Sequence, residues 1–210
     1  SMPGVVRKIQ RVQNRALWNK YFLARSDIAK ECDDTPNEIE AWHSTGRTDP
    51  SLICRDWKAG FDVNRSVITM QFGHDNVGRQ TRDFHNFDNK SYGTGVYLAE
   101  HCIYPDAMLP HIRPNSRDKQ IILAKVTLGN SLDYDSSIPH FRSAIEPEGF
   151  HSISGTEGNM QFLLDEKPRL VAAGRWSTAF EKLVDNGALY GRQYVVHRSN
   201  QAYPAYLVTY

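Results

Sequence analysis

The stretch QYVVHRSNQAYPAYLVTY, residues 193–210, consists of two runs rich in valine, tyrosine and leucine with a polar RSNQ between them. β-Branched and aromatic side chains suit a pleated, half-buried surface, so the two runs predict strands. Working outward, DKQIILAKVTLG (118–129) is an apolar run stopped by Gly129 and reads as a further strand. SYGTGVYLAE (91–100) reads as a glycine turn entering a short buried strand, and EIEAWHST (38–45) as another. VVRKIQRVQ (5–13) alternates only loosely, which allows a strand without requiring one.

Helical signals are fewer. Asn14 can cap a helix in which Ala16, Leu17, Tyr21, Phe22, Leu23 and Ile28 recur at helical spacing up to about Cys32, before DDTPN (33–37) breaks it. In DPSLICRDWKAGFD (49–62), Asp49 and Pro50 read as cap and first-turn residue and Gly60 as the stop. TAFEKLVDNGALYG (178–191) predicts a third helix ending at Gly187. Residues 63–90 are polar with scattered aromatics and read as a long irregular loop, as does the Pro, Ser and Gly-rich stretch 133–158. Short strands, irregular connections and two or three helices argue for an α+β domain on antiparallel sheet. At 210 residues and 24.0 kDa, with 40% hydrophobic and 23% charged residues, one domain with one core is expected over 1–210.

Several chemistries are disfavoured. A formal charge of +1, from 25 basic and 24 acidic residues, supplies no bulk attraction to nucleic acid or an anionic membrane, although a local basic patch is compatible with it. No apolar run approaches the roughly 18 residues that span a bilayer, and the amino end lacks a signal-peptide core. Ser1 and Met2 read as a cloning remnant. Cys32, Cys54 and Cys102 form neither an even disulfide set nor a CxxC pattern, which suits a reducing intracellular compartment, cytoplasm or nucleus. None of the eight histidines is paired at HxxxH or HExxH spacing, so no metal is expected. Gly93 and Gly95 match neither GxGxxG nor GxxxxGK, and the element after them is strand-like, which argues against the usual nucleotide phosphate loops.

Four separated pieces occur in a telling order: WHST (42–45), GFD (60–62), YGTGVYLAE (92–100) and the terminal run 193–210. Together they resemble the catalytic domain of the poly(ADP-ribose) polymerase family, the diphtheria-toxin-like ADP-ribosyltransferases. That family carries an HGT or HGS stretch, then GxGxYFA, then an EYVVYxxxQxYPEYLI-like pair of strands. IQRVQNRALWNKYFLAR (9–25) resembles its first strand and helix, and FHSISG (150–155) its YDSVxG stretch. The resemblance implies a mainly antiparallel ADP-ribosyltransferase fold, in which 63–90 is an extended donor loop and 160–190 an insertion. It implies NAD as co-substrate without a metal, and a protein acceptor that could be the domain itself.

Carried over residue by residue, His43 matches the family histidine that hydrogen-bonds the ribose of NAD. Tyr97 matches the tyrosine on which nicotinamide stacks, and Gln193 stands where polymerising members have glutamate. Ser44, Thr45, Arg65, Tyr92, Gly93 and Tyr104 join them as expected NAD contacts. Glutamine keeps an acceptor but has neither charge nor useful basicity, so activation of a ribose hydroxyl for elongation is not expected. Transfer of a single ADP-ribose is. Three departures favour the alternative of a catalytically silent domain that binds protein, NAD or ADP-ribose. Ser44 replaces the glycine that lies against nicotinamide, while Pro105 and Met108 occupy the positions of a nicotinamide-binding serine and a second stacking tyrosine, with Tyr104 beside them. A third reading, modification of a nucleic-acid end, is disfavoured by the balanced charge. The chain begins directly at the transferase fold, so activation by DNA breaks is not expected of it.

Overall fold

The computed structural model describes residues 5–46, 48–55, 95–108, 111–134, 147–155 and 191–210. Strand β1 (Lys8–Arg11) leads into helix α1 (Arg15–Glu31), then β2 (Glu38–His43), α2 (Pro50–Arg55), β3 (Val96–Ala99) and α3 (Ile103–Met108). Strands β4 (His111–Ile112), β5 (Lys119–Thr127), β6 (Ser131–Tyr134), β7 (Ser152–Gly155), β8 (Gln193–Val196) and β9 (Ala202–Thr209) complete the described elements, with a 3-10 turn Ser199–Gln201 before β9. The sheet order is β1-β9-β5-β2-β3-β8-β7-β6, with β4 also on β5. Every pairing is antiparallel except β6 with β7. The α+β expectation holds.

Strand β5 is apolar because it is covered on both sides. Ile122, Ala124 and Val126 enter the main core with Ala41, Leu98 and Leu207, while Ile121 packs with Val208 and Tyr210. Its neighbour β9 accommodates Pro204 where the register slips: Leu123 faces Tyr206 but Ala124 faces Pro204, leaving Ala205 as the extra residue. A bulge is one of the few places in a sheet that tolerates a residue without an N–H.

Asn14 caps α1 as expected, its Oδ1 accepting from Ala16 N and Leu17 N at 3.1 Å each. Its Nδ2 donates onward to the Cys54 and Arg55 carbonyls at 3.2 and 3.1 Å, tying the start of α1 to the end of α2. The buried face of α1 is Leu17, Tyr21, Ala24 and Ile28. Phe22 and Leu23, expected within the apolar spacing, are instead 49% and 62% exposed, because they project away from that single stripe. Asp33, Asp34 and Asn37 take left-handed backbone in the break after α1. The stretch 133–158, expected to be irregular, contains β7. Its serines are buried yet bonded: Ser152 Oγ donates to Leu128 O at 2.9 Å and Ser154 Oγ to Asp133 Oδ1 at 3.3 Å. The stop at Gly60, the loop 63–90, the segment 160–190 and the helix expected to end at Gly187 lie outside the described residues.

Candidate active site

Strands β2 and β3 share one register pair, Trp42 with Ala99, whereas β2 and β5 share a continuous ladder from Glu38 to His43. His43 therefore sits at the last rung of β2, where its pairing with β3 stops. Its Nδ1 donates to the Tyr97 carbonyl at 2.7 Å, bridging the two strands. That bond leaves Nε2 as an acceptor in the neutral ring. Burial pushes the His43 imidazole down to about 4, against the bond to Tyr97 O, so the ring is neutral near pH 7.

After His43 the chain turns tightly. Thr45 Oγ1 donates to Thr48 O at 2.6 Å and Thr48 N to Thr45 O at 3.1 Å, while Gly46 takes φ +57°. His111 on β4 donates from Nδ1 to Gly46 O at 2.9 Å. Ser44 and Thr45 are buried, and the Thr45 hydroxyl is committed to the turn.

Tyr97 and Gln193 share a face. Ala99 faces Gln193 and Tyr97 faces Val195 across β3 and β8, and alternation places residues two apart on the same side. The Tyr97 ring packs on Ile153 and Val195, with Leu132 beside them. Gln193 is buried, and its Nε2 has no hydrogen-bond partner among the described residues. Its register partner on the other side is Gly155, which carries no side chain to cover it. Alternation sets His43 on the opposite side from Trp42, so it reaches this region from the end of β2 rather than across the face holding Tyr97 and Gln193. Close approach of β8 to β3 requires Gly95: a Cβ there would lie 2.4 Å from Val195 Cγ1 and 2.7 Å from Val196 O.

Helix α3 brings half-buried Tyr104 and buried Pro105 next to β3. It is held by Asp106, which accepts from Lys119 Nζ at 2.8 Å and from the Tyr210 hydroxyl at 2.5 Å. Arg65, Tyr92 and Gly93 lie outside the described residues. Sequence reasoning missed His111, Gly155 and Arg192. Arg192 forks onto Asp133, bonds Ser154 Oγ at 3.0 Å and donates its N–H to Glu100 Oε2 at 2.8 Å, fastening β6, β7 and β8 beside Gln193. A long-range register, invisible to local pattern, creates all three roles.

A hollow of about 1000 Å³ lies along the sheet's β1 edge and α2. Arg7 and Arg113 line it and pair with Asp118 at 2.7 and 3.7 Å. Lys8, Arg11, Arg15 and Arg55 also line it, with no ion pair among the described residues. The described residues hold no group of three or more His, Cys, Asp or Glu arranged for a metal, and none of their helices is long and apolar enough to cross a membrane.

A family model of the poly(ADP-ribose) polymerase catalytic domain matches residues 2–210. The chain belongs to the poly(ADP-ribose) polymerase catalytic-domain family. It is also 30% identical over 127 residues, 59% of its own length, to a probable poly [ADP-ribose] polymerase of Dictyostelium discoideum. The match spans 31% of that relative's length. Membership accounts for the antiparallel sheet and few helices, and poly(ADP-ribose) polymerase domains use NAD as substrate.

Proposed function

We propose that this domain transfers one ADP-ribose unit from NAD to a protein side chain and releases nicotinamide. The carrying observation is Gln193, a buried neutral amide on the face of Tyr97, where the elongating members of the family hold a carboxylate. In this reading the Tyr97 ring packs the leaving pyridine, and His43 and Gln193 hold the ribose hydroxyls. Ser44, Thr45 and Tyr104 border the nicotinamide, and Arg65, Tyr92 and Gly93 complete the contacts.

The bond from the ribose anomeric carbon to the pyridinium nitrogen breaks with its electron pair passing to the ring, which leaves neutral. The oxocarbenium-like sugar is captured by an acceptor oxygen that already carries negative charge, such as a carboxylate, so no proton need be removed. A ribose hydroxyl would need a base, and glutamine is not one. The amide therefore supports single transfer over chain growth. Residues 1–210 form one catalytic unit in this proposal, with 63–90 over the donor and 160–190 inserted near the acceptor side.

Incubation with labelled NAD tests it: single units on the domain, lost in His43→Ala, are expected. Ladders would overturn the single-transfer reading, and incorporation unaffected by His43→Ala would overturn the site. Buried Pro105, offering no hydroxyl where the family has serine, favours a second reading, a silent module. Absence of incorporation together with absence of NAD binding by calorimetry would select it.

A further inference from the structure

At the far end of β7 from Gln193, three side chains from two distant parts of the chain meet. Cys32 follows the last turn of α1, Glu31 ends that helix, and His151 precedes β7. Cys32 Sγ lies 3.7 Å from His151 Nδ1, and His151 Nε2 lies 2.9 Å from Glu31 Oε2. Two hydrogen bonds decide the tautomer. The Asn130 N–H donates to Nδ1 at 3.2 Å, so Nδ1 bears the lone pair. Nε2 then carries the proton and donates it to the carboxylate. The thiol faces a base whose other nitrogen is held by an acid, the nucleophile, base and orienter arrangement of thiol chemistry.

The surroundings fit that role. The imidazole is buried while Glu31 is 60% exposed and Cys32 is partly exposed. A hollow of about 390 Å³ opens beside the base and the acid, lined by Glu31, His151, Glu148 and Arg198 but not by Cys32, which adjoins it through His151. Gly129 permits the packing, since a Cβ there would lie 2.7 Å from His151 Nδ1. The other two cysteines differ. Burial, then Asp49, pushes the Cys54 thiol up to about 12, and burial, then Asp106, raises that of Cys102.

We propose that Cys32, with His151 as its base and Glu31 positioning that base, is a nucleophilic modification site for small soft electrophiles of the hydroperoxide class. The thiol proton passes to the His151 Nδ1 lone pair as the Asn130 N–H, which shares it, lets go, and the sulfur attacks a peroxide oxygen. An S–O bond forms as the O–O bond breaks, and the departing hydroxide takes the proton from the imidazolium. Cys–SH and H2O2 thus become Cys–SOH and water.

The folded 210-residue chain is treated with iodoacetamide, and separately with hydrogen peroxide plus dimedone, with residue-resolved mass spectrometry. Cys32 is expected to alkylate at least roughly tenfold faster than Cys54 or Cys102 and to be the residue trapped as sulfenic acid. Glu31→Gln, at an exposed position, keeps the fold and lowers the Cys32 rate at least about threefold, as does His151→Gln. A merely structural role predicts the reverse, since loosening the junction would speed labelling of Cys32 and of buried Cys54. A smaller ratio among the cysteines, a Cys32 rate unchanged or raised in Glu31→Gln, or no trapped sulfenic acid would each overturn the proposal.

Discussion

His43 is neutral because it is buried, and that neutrality couples folding to pH. Its folded value of about 4 lies below the ordinary 6.5, so between those limits the unfolded chain binds a proton that the native chain refuses. Stability should therefore be fully retained above pH 6.5 and fall as pH drops toward 4, by up to about 3 kcal/mol from this residue. Denaturant unfolding at a series of pH values checks this, with His43→Gln, whose amide can still donate to Tyr97 O, giving the flatter profile. His43, Tyr97 and Gln193 could be nominated from the chain alone because short motifs carry them. The bond from His43 to a carbonyl on another strand could not, and neither could His111, whose partner Gly46 is distant in sequence. Such pairings are properties of register.

Among elements, the contact of β3 with β8 depends on Gly95. A methyl group there meets the Val196 carbonyl as well as a valine side chain, and backbone cannot rotate aside. Gly95→Ala should cost about 1–3 kcal/mol in thermal or chemical unfolding. It should also disturb the face bearing Tyr97 more than α1, which amide-resolved NMR would separate. Asn14→Ala removes both the cap of α1 and the tether to α2, and a loss of about 1 kcal/mol or somewhat more is expected. A change within a few tenths in the unfolding midpoint energy would show the tether to be idle. Strands β5 and β9 were legible because burial on both faces writes itself as an apolar run. β7 was not, since its serines are buried by bonds to Leu128 and Asp133 that no local pattern announces. The same limit explains Phe22 and Leu23: spacing marks a helix but does not say how wide its covered face will be.

For the molecule as a whole, alternation and turn signals implied an antiparallel α+β domain, and the family resemblance implied the rest of its architecture. Neither could state that β6 and β7 run parallel, because a parallel neighbour needs a crossover connection, here residues 135–151, whose course no local pattern announces. Nor could composition reveal how charge is arranged. The formal total is only +1, yet Lys8, Arg11, Arg15 and Arg55 line one hollow beside the first strand with no ion pair among the described residues. Like charges gathered in one hollow raise a local positive potential there whatever the net charge. The protein should adsorb to a negatively charged chromatography resin at low salt, hollow first, even where its net charge vanishes, and elute as ions of about 10 Å screening length are added. Reversing Arg11 and Arg15 together to glutamate should abolish that retention, whereas the same change at two lysines elsewhere should only weaken it. The protein would then meet an anionic surface through this hollow.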